Sequence, residues 1–112
     1  MDNEIKTWLY DILQSINEID GYYTDLPKRF DTYKNDTKTK RAIERNIEII
    51  GEAVYRIRKK DADFKIPNSE QIIGTRNIIA HGYDKVSDEI MWSIVVNHLP
   101  KLKEAIEKML GE

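Results

Sequence analysis

From Ala42 to Ile57 the chain repeats apolar residues at helical spacing, and Ala42, Ile43, Ile47, Ile50, Val54 and Ile57 all fall on one face. A strand alternates its side chains every second residue, so a stripe with this period specifies a helix that must bury one side against another element. Asp36 or Thr37 can cap it, and the pattern holds until about Lys60. The same rhythm governs Ile5, Trp8, Leu9, Ile12, Leu13, Ile16 and Ile19, with Asn3 or Asp2 as the cap and Gly21 as the end. Five glycines and three prolines in 112 residues leave few breakers between such segments, which predicts an all-α protein.

The remaining segments are shorter. Residues 21–36 carry Tyr22, Tyr23, Pro27, Phe30 and Tyr33 without a clean period, so a connector with one short helical turn is expected. Residues 61–67 break the pattern, and Asn68 or Ser69 restarts it with Ile72, Ile73, Ile79 and Ala80 as a stripe up to Gly82. Ser87 can cap a last helix, in which Val86 and Met91 have roughly staple spacing and Ile90, Ile94 and Val95 face inward. Pro100 should kink or divide that helix before Leu102, Ala105, Ile106 and Met109 or Leu110 continue the apolar side. The sum is a four- to five-helix up-and-down antiparallel bundle spanning 1–112 as a single domain.

Composition narrows the chemistry. The chain has no cysteine and two well-separated histidines, so neither a disulfide framework nor a metal cluster is evident by spacing, and no cofactor is expected. The first residues are acidic and no apolar run approaches the roughly 18 to 20 residues of a membrane span, which suggests a soluble, unprocessed, cytoplasmic protein. A net charge of −2 argues against a strongly electrostatic nucleic-acid binder. Residues 28–60, however, hold eleven basic and five acidic side chains, a local excess of +6. They either form a phosphate-facing stripe or a solvated face with pairs such as Arg41–Glu44 and Arg45–Glu48.

One octapeptide concentrates reactive groups: Arg76-Asn77-Ile78-Ile79-Ala80-His81-Gly82-Tyr83. At about 100° per residue a continuous helix puts Asn77 and His81 on one face, with Gly74 nearby, whereas Arg76 turns toward the apolar stripe. An arginine there needs a carboxylate or phosphate partner, and Glu48 or Glu52 of the long helix could supply the former. Imidazoles ordinarily titrate near neutrality and serve as general bases or acids, but a histidine before a helix-ending glycine also suits the helix dipole. Asn77 could fix the imidazole or bind phosphate. Gly74 is unfavourable inside a helix by about 1 kcal/mol, which suggests close approach by another chain or ligand, or helix packing. No acid or nucleophile is arranged around His98 by local spacing, and Trp8, Trp92 and the three connector tyrosines suit core packing better than base stacking.

Arg76, His81 and Tyr83 match an Arg-x4-His-x-Tyr signature, and in this the chain resembles the HepT-like toxins of the HEPN superfamily. Residues 46–53, 72–77 and 99–103 also resemble that family's recurrent segments, in its order. The resemblance implies a HEPN-like helical bundle forming a homodimer, and a metal-independent endoribonuclease acting as the toxin of a toxin–antitoxin pair. It implies a minimal nucleotidyltransferase antitoxin as partner, which silences the toxin by AMPylation of Tyr83. The substrate would be RNA, with His81 as acid or base, Arg76 on the phosphate, and Asn77 orienting or binding. The rival reading is a non-catalytic helical adaptor or substrate-binding subunit of a nucleotidyltransferase.

Overall fold

Asp2 stands just outside the first helix and accepts hydrogen bonds from the backbone N–H groups of Glu4 (2.8 Å) and Ile5 (3.1 Å). In this computed structural model, which describes residues 1–81 and 87–111, α1 therefore begins at Asn3 and runs to Gly21. The connector holds a six-residue helix, α2 (Phe30–Asn35). Asp36 then caps α3 (Thr37–Lys60), accepting from Thr39 N (3.1 Å) and Thr39 Oγ1 (2.7 Å). Asn68 enters α4 (Ser69–His81) at φ 58°, a left-handed conformation that asparagine tolerates better than most residues. Ser87 caps α5 (Asp88–Ser93) through Ile90 N at 3.1 Å. Gly82, Tyr83 and Val86, named above as helix end, modification site and staple, lie outside the described residues.

The last helix is divided as Pro100 requires, though by a particular device. Between α5 and α6 (Leu99–Leu110) the backbone from Ile94 to His98 winds as a π-helix, with Leu99 N donating to Ile94 O. Proline has no N–H and its ring collides with the carbonyl four residues back, so a wider turn just before it lets the helix continue without breaking.

α3 is the centre of the bundle, packing against α1 on one side and α4 on the other, while α6 lies along α1. Lys60 at the end of α3 pairs with Glu4 and with Asp2 (3.5 Å) at the start of α1, so those two helices run antiparallel. Ile43, Ile47, Ile50, Val54 and Ile57 are buried against Ile5, Leu9, Ile12, Ile16 and Ile19. Full burial of each such side chain favours folding by about 1.5–3 kcal/mol. This is the expected all-α bundle.

Two apolar assignments are corrected. Ile90 is 54% exposed, because α5 turns Met91 inward together with Ile94 and Val95, leaving Ile90 about 100° away. Ala80 is exposed rather than part of a buried stripe. α4 has one main neighbour, α3, and buries only Ile72 and Thr75 fully. Tyr33 is buried, and Tyr22 accepts a hydrogen bond from the buried Asn46 amide (2.9 Å), so these aromatics do pack inside.

Candidate functional site

The place of Arg76 is decided by what is missing opposite it. A Cβ on Gly51 of α3 would collide with Arg76 Cβ and stand 2.9 Å from its Cγ and 3.2 Å from Ile72 O. Glycine in mid-helix costs about 1 kcal/mol relative to alanine, yet here it lets α4 approach closely enough to lay the arginine stem over α3. The guanidinium then meets α3 side chains: NH2 donates to Glu52 Oε2 at 3.0 Å, and its carbon lies 5.2 Å from the Tyr55 ring centre. Glu52 accepts from Arg56 Nε with its other oxygen, also at 3.0 Å. The carboxylate is thus shared between two arginines, and Glu52 is the partner chosen from the two offered by sequence.

Arg76 is not fully used by these contacts. Its side chain is 16% exposed, and its Nε is buried with no hydrogen-bond partner. A buried unmet donor costs about 1–3 kcal/mol, so an anion or water reaching Nε would be bound favourably. NH1 donates to Asn77 Oδ1 at 2.7 Å. Asn77 therefore orients the arginine, and its oxygen is committed there. Asn77 and His81 are both exposed, one turn apart toward the end of α4. The arginine faces α3 and the imidazole is exposed, as helical rotation indicated, while Asn77 bonds to the arginine.

Among the described residues Gly74 touches no other element, since none of their atoms beyond its own helix backbone lies within 4 Å of where its Cβ would be. Of the readings offered for Gly74, helix packing within the protomer is not what this glycine serves; that role falls to Gly51. The signal was the same in both cases, a glycine inside a strong helical pattern, and only the packing partner distinguishes them. Tyr55 was missed, because an exposed aromatic on a helix carries no local sign of a partner 21 residues later; Arg56, counted in the basic segment, pairs with Glu52 one turn earlier.

Arg76 lines a groove of about 290 Å³ between α1, α3 and α4. Trp8 and Asp11 line it from α1, Arg45, Glu48, Glu52 and Arg56 from α3, and Ala80 from α4. Among the described residues, six of the eleven basic side chains of the segment have ion-pair partners: Arg29 with Asp31, Lys40 with Asp88 (2.9 Å), Arg41 with Glu44 (3.6 Å), Arg45 with Glu48 (3.8 Å), besides Arg56 and Lys60. That favours the solvated-face reading over a bare phosphate stripe. His98 is half-buried at the end of the π-helical turn, away from these contacts in sequence, with Nδ1 unbonded. Among the described residues no group of three His, Cys, Asp or Glu side chains could hold a metal ion, and no helix is long and apolar enough to cross a membrane.

A family model described as "Ribonuclease HepT-like" matches residues 12–109. A Methanocaldococcus jannaschii protein named "Putative RNase MJ1380" is 34% identical over 93% of this chain and 94% of its own length. The similarly named MJ0127 of that organism is 32% identical over 97% of this chain and 89% of its own. "Probable ribonuclease HepT" of Thermococcus cleftensis is 31% identical over 97% of this chain and 98% of its own. No solved structure matches. Both the signature around Arg76 and the helices that hold it lie within the matched span, and the chain belongs to the ribonuclease HepT-like family of the HEPN superfamily.

Proposed function

We propose that this protein is a metal-independent endoribonuclease that works as a homodimer. The observation that carries the reading is Arg76, held by Glu52 and Asn77 with a buried Nε donor still unmet, five residues before the exposed His81. In the reaction a base takes the 2′-OH proton, the 2′-oxygen bonds to phosphorus, the bond to the 5′-oxygen breaks, and an acid returns a proton to that oxygen. Arg76 neutralises the crowded phosphate and His81 serves as the base or acid. One protomer offers a single suitable imidazole, so a two-fold contact near α4 would bring His81 beside its mate and complete the site.

In a cell this activity is that of a cytoplasmic toxin, one domain over 1–112, and the partner is a minimal nucleotidyltransferase antitoxin. AMPylation of Tyr83, two residues beyond His81, adds bulk and negative charge beside the phosphate site and excludes RNA. The family relation supports the nuclease; the toxin role and the modification rest on the resemblance of the Arg-x4-His-x-Tyr signature. The deciding experiment incubates the purified, partner-free protein with total RNA in EDTA. Cleavage that disappears in His81→Ala and Arg76→Ala is expected, and an inert unmodified dimer would sink the reading. Incubation with ATP and the antitoxin should label the wild type and spare Tyr83→Phe; equal labelling of both removes Tyr83 as the target. The rival adaptor reading draws on the fact that Glu52 already satisfies much of Arg76, and it predicts that Arg76→Ala alters stability alone.

A further inference from the structure

The groove beyond Arg76 is charged in a way that does not suit a run of phosphates. Its three guanidiniums, Arg45, Arg56 and Arg76, are matched by three carboxylates, Asp11, Glu48 and Glu52. Glu52 is occupied by two arginines, but among the described residues Glu48 only approaches Arg45 at 3.8 Å without a hydrogen bond, and Asp11 makes no ion pair. Away from Arg76, open carboxylate acceptors beside the loosely held Arg45 disfavour a second phosphate and suit a neutral, planar group with both donor and acceptor edges. Trp8, partly buried in the wall, supplies an aromatic surface for stacking. The volume of about 290 Å³ is that of a site for one small molecule, too short for a docked helix.

We infer that this groove receives one RNA base adjoining the phosphate held by Arg76, and that its preference is for guanine. Guanine presents N1–H and N2–H₂ donors on one edge and O6 and N7 acceptors on the other, the edges that a carboxylate and a guanidinium respectively bind. Glu48 accepts from the donor edge and Arg45 donates to the acceptor edge. Adenine offers no paired donors to a carboxylate, and pyrimidines leave part of the stacking surface uncovered. The inference rests on the nuclease reading for its meaning, but binding can be measured without cleavage.

The test titrates the full-length protein with 3′-GMP, 3′-AMP, 3′-CMP and 3′-UMP, following heteronuclear NMR shifts or heat. Guanosine monophosphate should bind roughly tenfold tighter than the others. Glu48→Gln and the largely exposed Arg45→Ala should each remove that preference while circular dichroism shows the helices intact. Equal binding of all four nucleotides, or a preference that survives both variants, overturns the inference. It is likewise overturned if the two variants weaken binding of a partner protein and leave nucleotide binding unchanged, which would make the groove a protein-docking surface. Failure of the nuclease reading is distinguishable, because an inert protein that still selects 3′-GMP loses the reaction and keeps the base site.

Discussion

Gly51 and Arg76 behave as one unit, since the absent methyl of the first is the space taken by the stem of the second. Gly51→Ala should therefore overpack the α3–α4 contact and destabilise the fold by about 1–3 kcal/mol, measured by urea unfolding. It should also lower RNA cleavage by displacing the guanidinium. Gly74→Ala, with open space beside it, should raise protomer stability by about 0.5–1 kcal/mol through helix propensity. A destabilised Gly74→Ala protomer would contradict that account. The pair Glu52–Arg76 is half-exposed on one side, so a double-mutant cycle should return a coupling of only about 1 kcal/mol. At this scale the sequence was readable for Arg76 and its choice of carboxylates, because an arginine on an apolar stripe needs a partner. It was not readable for Tyr55, whose role arises only when α4 is laid across α3.

Helices are the scale at which most of the architecture was legible. Periodicity and caps located α1, α3 and the last helix, because each carries a long stripe and a residue able to satisfy its first N–H groups. Asp36→Ala should lower stability by about 1 kcal/mol, seen as a drop in Tm of roughly 4–8 °C, since Thr39 loses both its backbone and its hydroxyl partner. An unchanged Tm would mean that α3 is held by packing alone. The faces of α4 and α5 were less legible. Ala80 and Ile90 follow the right spacing, yet each helix has too few neighbours to cover every residue in its pattern. Pro100 announced a disturbance, but a kink, a break and a π-helical turn all accommodate a residue without an N–H, and the sequence alone does not choose among them.

For the whole molecule, the buried phenols at the α2–α5 junction set an alkaline limit. Burial and the nearby Asp36 push Tyr23 up to about 12, and burial with Asp88 and Glu44 raises Tyr33 further. An unfolded tyrosine ionises near 10, so between that value and 12 the unfolded chain binds fewer protons, and stability must fall as pH rises through this window. Unfolding midpoints taken across it should decline, and less steeply in Tyr33→Phe, which also removes a buried hydroxyl without a hydrogen-bond partner. If the dimer forms through the open side of α4, where Ile78 is 40% exposed, Ile78→Lys should yield monomers by sedimentation and abolish cleavage. A monomer that still cuts RNA would place the complete site within one protomer. The Gly51 contact has a consequence for transplantation. The octapeptide is not a portable cassette: a designer who copied it onto another bundle with any side chain facing the arginine would reproduce the letters and lose the aim.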